Sequence, residues 1–280
     1  THQVITLLKL GDNKVEIPPP PGTPADRVGF SDLVVDADSV IRRNLMLASF
    51  SEQEVFVSFS LRLALTYLAP QGITPQNPPQ NPSWFQLGKT IFPPLQPTSG
   101  GYQTLDAGGY QILLDYSSPT RPARSISFLQ ALQGNFDRTW VRDKIVLIGT
   151  TAPSGKDLFS TPYSASAIVD HQMPGVVLHA QMVSQILRST LDGKPPFWFF
   201  PTWVEAIWIA IWAAMGVSLA WSFNHPLKLA VVLSGSLLLL SGITIGLFFM
   251  QAWMPLVAPV MAFVLAGIVI VSYRAYRVSN

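Results

Sequence analysis

Trp203–Trp221 reads WVEAIWIAIWAAMGVSLAW, Leu227–Met250 reads LKLAVVLSGSLLLLSGITIGLFFM, and Trp253–Tyr273 reads WMPLVAPVMAFVLAGIVIVSY. The runs are 19, 24 and 21 residues long, and their only charges are Glu205 near the start of the first and Lys228 at the start of the second. A helix that crosses the bilayer core needs roughly 20 mostly apolar residues. Helices of soluble proteins keep a polar face, and these runs have none. The sequence therefore predicts three transmembrane helices at about 203–221, 227–250 and 253–273. A domain of residues 1–200 stands before them and a short tail, 274–280, behind.

The flanking charges orient the array. Arg274 and Arg277 follow the third run, and His225 and Lys228 flank the link Ser222–Pro226, whereas the link Gln251–Ala252 is uncharged. Basic residues stay on the cytoplasmic side. The C-terminus and the 222–228 link are thus expected in the cytoplasm and residues 1–200 outside. Trp203, Trp208, Trp221, Trp253 and Tyr273 fall near the expected interfaces, where amphipathic rings settle.

Residues 1–200 hold 15 Lys or Arg and 15 Asp or Glu, so the net charge of +2 arises in the membrane part. A neutral domain without a basic cluster argues against nucleic-acid binding. The chain has no cysteine, which excludes disulfides and thiolate metal sites. It begins at Thr1 rather than Met, and a fragment of a longer protein is expected.

Along the first 200 residues, Val4–Leu10 is a β-type run followed by turn chemistry at Gly11-Asp12-Asn13. Gly29–Leu47 reads GFSDLVVDADSVIRRNLML. Its Asp36, Asp38, Arg42 and Arg43 fit a salt-bridged turn between two strands, or an anion or metal site. Glu52–Leu68 carries an apolar stripe at Val57, Leu61, Ala64, Leu65 and Leu68 that predicts a helix, although the alternation Val55/Val57/Phe59 allows a strand at its start. Pro70–Pro97, rich in Pro, Gln and Asn, reads as a long surface excursion. Tyr110–Tyr116 is a strand candidate, and Ser127–Leu132 a short helix that Gly134 ends.

Arg142–Ser164 (RDKIVLIGTTAPSGKDLFSTPYS) is the densest stretch. Ile145–Ile148 has the continuous apolarity of a buried parallel strand, and it ends in Gly149-Thr150-Thr151, where α/β sheets bind ligands. It is not a phosphate-binding loop. Five residues rather than four separate Gly149 from Gly155, and Asp157 follows Lys156. Nor does Ser154 sit in a Gly-x-Ser-x-Gly elbow. His171 and His179 are eight apart, without the i, i+4 pairing of a helical metal site. His179 flanks the apolar side of a helix predicted over Gly175–Ser189, as a partly buried, hydrogen-bonded side chain with a pH-sensing role in reserve. Strand, glycine loop and helix in this order favour an α/β sandwich.

VDADSVIRR (35–43), GYQILLDY (109–116), FLQALQG (128–134), RDKIVLIGTTAPSGKDLFSTPYS (142–164) and MPGVVLHAQMVSQIL (173–187), with three membrane spans behind them, resemble a type-two CHASE domain, a cyclase/histidine-kinase-associated sensory extracellular domain. The family usually has glycine where Ser39 stands. The resemblance implies an α/β extracytoplasmic sensor domain, incomplete at its N-terminus, followed by three transmembrane α-helices in a bacterial plasma-membrane receptor. The effector it implies, a cyclase, a kinase or a CHAT-type module, is not in this sequence, and a homodimer is expected. By position, the candidate ligand surface combines Asp38, Arg42, Arg43, Gly149, Thr150, Thr151, Asp157 and Thr161, for an unknown small-molecule or physical stimulus. No catalytic residue, metal or cofactor is expected. Two other classes stay open: a membrane-anchored extracytoplasmic hydrolase with an acid/base pair such as Asp157 and His179, and an envelope assembly or interaction subunit.

Overall fold

The computed structural model describes residues 3–11, 14–51, 54–119, 122–164 and 172–279. Asp12, Asn13, Glu52 and His171, singled out above, lie outside them. The chain divides into two compact units, residues 1–95 with 107–196, and residues 96–106 with 197–280.

The first unit is mixed α/β. Strands β1 (Thr6–Gly11), β2 (Lys14–Ile17) and β3 (Val28–Phe30) form a small sheet in the order β2-β1-β3, with β1 and β3 parallel. Strands β4 (Arg43–Ser51) and β5 (Glu54–Val57) lead into helix α1 (Phe59–Leu68). The 52–68 run is thus divided: the alternation at Val55 and Val57 makes a strand, and the Ser58 hydroxyl accepts from the Leu61 amide to start the helix. Strands β6 (Pro75–Gln76), β7 (Phe85–Leu87) and β8 (Thr90–Phe92) form a three-stranded meander. The expected surface excursion is therefore partly core, because Phe85, Leu87 and Phe92 bury against Met46, Leu61, Leu68, Ile112 and Ile186. Strand β9 (Tyr110–Leu113) completes the sheet β5-β4-β9.

Helix α2 (Phe128–Leu132) begins with a capping box between Ser127 and Gln130, and Gly134 after it has φ +67°. Strands β10 (Leu158–Phe159) and β11 (Met173–Pro174) pair antiparallel ahead of helix α3 (Gly175–Leu191). The predicted buried strand at Ile145–Ile148 is corrected by the structure. The segment carries no regular secondary structure, and among the described residues no strand pairs with it. Ile145 and Leu147 are half-buried, while Val146 is 53% and Ile148 89% exposed. Apolarity alone does not make a buried strand, which also needs neighbours on its edges, and among the described residues no strand takes that place.

Helix α3 holds the unit together through polar side chains on its buried face. Gln185 Nε2 donates to the Leu113 carbonyl at 2.7 Å and Arg188 Nη2 to the Asp115 carbonyl at 3.0 Å. Gln181 Oε1 accepts from the Ser117 amide and hydroxyl, both at 2.9 Å, and its Nε2 donates to the Ser118 carbonyl at 2.5 Å. The chain leaving β9 thus finds its hydrogen bonds on a helix instead of a strand.

The second unit contains β12 (Trp198–Phe199), α4 (Thr202–Ser222), α5 (Pro226–Phe249), β13 (Ala252–Trp253) and α6 (Val257–Ser279). Thr202–Ser222, Pro226–Phe249 and Val257–Arg277 are long and apolar enough to cross a membrane. Trp212, Leu240 and Phe263 form their common core, and Gly216 lets α4 approach the backbone of α6 at Phe263. The third helix starts at Val257 rather than 253, because Ala252-Trp253 pairs in parallel with Trp198-Phe199. At the far end Arg274 of α6 donates to the carbonyls of Ala220 and Phe223 and to Asn224, closing the C-terminus of α4.

Gly29 in β3 would place a Cβ 2.6 Å from the Phe59 Cα and 2.8 Å from its amide nitrogen. Backbone cannot yield as a flexible side chain does, so Gly29→Ala is expected to destabilise the first unit by about 1–3 kcal/mol. Denaturant unfolding of the purified chain measures it.

Candidate functional site

The acidic-arginine stretch folds into a compact turn before β4. Arg42 forms a bidentate pair with Asp38, Nη1 to Oδ1 at 2.8 Å and Nη2 to Oδ2 at 2.6 Å, and its Nη1 also reaches Asp36 Oδ2 at 3.0 Å. Arg43 Nε donates to Asp36 Oδ1 at 2.6 Å, and its Nη1 to Gln111 Oε1 at 2.6 Å. Asp36 and Arg43 are buried, whereas Arg42 and Asp38 face outward. The Arg42 guanidinium holds the Asp38 carboxyl down at about 2. Within this fork each arginine is matched by a carboxylate, and a ligand anion would compete with Asp38 for Arg42. Ser39 closes the turn with φ +65°, the left-handed conformation that glycine adopts without strain.

Thr161 belongs beside this turn. Val40 bridges Ser160 in parallel, and the Ile41 amide donates to the Ser160 carbonyl at 2.9 Å. Thr161 is buried, its amide donating to the Ser164 hydroxyl. Tyr116 packs edge-on against Tyr163 and donates to the Ile41 carbonyl. Asp38, Arg42, Arg43 and Thr161 are thus brought into one neighbourhood.

The other four expected residues gather near the start of α3. Gly149 lies against Val176, and its Cβ would meet that side chain at 2.7 Å. Thr150 Oγ1 accepts from the Ala152 amide at 3.3 Å, and Thr151 is exposed. The Asp157 carbonyl accepts from the Gly175 amide, and its carboxylate sits so close to Gly175 that a Cβ there would come within 2.5 Å. Its charge also acts on His179. His179 is buried, edge-on to Phe59 at 5.4 Å between ring centroids, with a hydrogen bond to the Ser31 backbone and, among the described residues, no partner for Nδ1. Burial pushes it down to about 4 from its ordinary 6.5.

A cavity of about 270 Å3 is lined by α3 and the 144–147 segment. Val183, Leu187 and Leu191 supply an apolar stripe of α3, and Ser184, Arg188 and Asp192 a polar stripe beside it. Lys144, Ile145 and Leu147 also line it. Arg188 Nε is shielded from solvent without a partner among the described residues, although the same guanidinium also meets Asp115. The cavity suits a small molecule with an apolar body and an acceptor for Arg188 and Lys144. The i, i+4 spacing of 184, 188 and 192 is the only trace of it in the sequence. Among the described residues no group of three or more His, Cys, Asp or Glu is placed to hold a metal ion.

The sequence profile of the CHASE2 domain matches residues 2–218. No curated protein and no solved structure matches the chain. CHASE2 domains are extracellular sensory domains of signalling receptors, without catalysis of their own.

Two measurements check this geometry. Ser39→Gly removes the left-handed strain at the cost of some unfolded-state freedom, and it is expected to raise stability by roughly 0.5–1 kcal/mol in denaturant unfolding. His179 stays neutral in the fold, while the unfolded chain takes up a proton below 6.5. Its contribution is therefore complete above pH 6.5 and is lost as pH falls toward 4, by about 3 kcal/mol in all. His179→Gln should remove that part of the slope, read as the difference between the two proteins' unfolding free energies at pH 7 and pH 4.5.

Proposed function

The chain belongs to the CHASE2 domain family, and on that premise we propose that it is the membrane-bound input module of a bacterial signalling receptor. Residues 1–200 lie outside the plasma membrane and detect a stimulus. The three helices relay it to an effector domain, a cyclase, a kinase or a CHAT-type module, outside these 280 residues. The observation that carries this reading is the extent of the family match. It runs from residue 2 to residue 218, through the α/β unit and well into α4, so the sensory domain and the first membrane helix form one inherited piece.

The buried chemistry supports a binding role over catalysis. His179 is closed off against Phe59 and presents no proton to a substrate, which weighs against an Asp157–His179 hydrolase. For a chemical stimulus we assign the cavity beside α3 as the seat. It joins an apolar wall to the charged groups Lys144, Arg188 and Asp192, while Asp38 and Arg42 face outward and form a bidentate pair.

The absence of native cysteine makes the topology directly testable. Single cysteines at exposed Ser83 and His225 are to be probed in intact cells with a membrane-impermeant maleimide. Ser83→Cys should react in intact cells and His225→Cys only after permeabilisation. The opposite pattern would place the α/β unit inside the cell and sink the sensor reading.

A further inference from the structure

The Gln96–Asp106 segment is enclosed by the first unit in sequence yet packs with the membrane helices. It is folded on itself, the Gln96 amide donating to the Ser99 hydroxyl at 2.9 Å and the Leu105 amide to the Pro97 carbonyl at 3.0 Å. Its two glycines form a bare platform under the Trp253 indole. Gly100 has φ +59°, and a Cβ there would meet the ring at 2.8 Å, while one at Gly101 would touch it at 3.4 Å. Tyr102 flanks the same indole with ring centroids 6.3 Å apart. Thr98 and Thr202 place their hydroxyls 3.5 Å apart, at the first residue of α4.

Trp253 belongs to the turn that joins α5 to α6, and that turn is held from a second direction. The Trp198 amide donates to the Gln251 carbonyl at 2.9 Å, β12 pairs with β13, and Phe197 stacks on Phe248 at 5.2 Å. Gln251 adopts φ +62°, and its Oε1 is buried without a partner among the described residues. A non-glycine residue in that conformation persists only where its surroundings enforce it. The turn is thus set by groups that grip it from outside the α5–α6 hairpin.

We propose that Gln96–Asp106 is a strap that sets the α5–α6 turn through Trp253, giving the receptor a second line of transmission beside the direct peptide link into α4. The direct link moves one helix. The strap moves the turn between the other two, and Arg274 of α6 carries that shift to the C-terminal carbonyls of α4. The proposal rests on the receptor reading for the direction of the signal. The cysteine-labelling experiment decides that reading on its own, so the two can fail separately.

The test uses the full chain in lipid nanodiscs and amide hydrogen exchange resolved by segment. Gly100→Val forces a branched side chain against the indole, and Tyr102→Ala removes a flanking ring without a clash. Thr98→Cys with Thr202→Cys, in this cysteine-free chain, allows the strap to be fastened by oxidation, since the hydroxyl separation lies within reach of a disulfide after small side-chain adjustment. Both releasing variants should raise exchange about tenfold at 251–254 and also at 222–228, where Arg274 closes α4. Oxidising the cysteine pair in the Tyr102→Ala background should restore protection at both places. Faster exchange confined to 96–106, or a rise at 251–254 that never reaches 222–228, overturns the proposal. So does a rise that oxidation leaves unchanged.

Discussion

The α/β unit depends on one requirement, that the backbone leaving β9 be hydrogen-bonded once it has passed beyond its partner strand. The Leu114 amide still donates to the Arg42 carbonyl, but from Asp115 to Ser118 the chain runs on past the sheet, and a buried amide or carbonyl without a partner costs about 1–3 kcal/mol. Gln181, Gln185 and Arg188 supply those partners from successive turns of α3. The same residues fix the rotation of the helix. Leu178, Met182 and Ile186 then turn toward the cores around Ile41 and Met46. Lys194 adds a 2.6 Å contact to Asp115 just after the helix ends. Asn44 marks where this accounting fails, since neither of its buried amide atoms finds a partner among the described residues.

Parts of the fold that follow from local chemistry were legible in the chain. Three uninterrupted apolar runs state a membrane module, Ser127 and Gln130 state a helix start, and two aspartates ahead of two arginines state a charged turn. The boundary of the third helix was not legible, because pairing with the sequence-distant Trp198-Phe199 holds Trp253 out of it. Phe85, Leu87 and Phe92 were hidden by the prolines and glutamines around them, although short runs between turns can still reach a core. Ile145–Ile148 shows the converse failure. Apolar composition promises burial only if the fold brings something to cover it.

The candidate site divides along the same line. Asp38, Arg42 and Arg43 lie within six positions and attract one another, so their meeting is written locally. The turn's cost is visible too: where the resemblance leads one to expect glycine, Ser39 takes the left-handed conformation. The α3 cavity joins Tyr67, Lys144 and Arg188 from three separate stretches, and no spacing rule connects such positions. Electrostatics could not be read in advance either. The position of His179 beside an apolar stripe indicated partial burial, but the loss of its basicity needs Phe59 against its ring and the helix packed around it.

The apolar segment Lys144–Gly149, with which no described strand pairs, has a consequence at the bench. Val146 and Ile148 are exposed in it, and among the described residues no strand pairs with it, an arrangement open to a foreign strand. Concentrating the purified chain will favour edge-to-edge stacking of these segments. Sedimentation and crosslinking in detergent will then register clumping that has nothing to do with signalling. A lysine in place of Ile148 blunts the edge, and preparations carrying it are the ones from which a physiological assembly can be weighed.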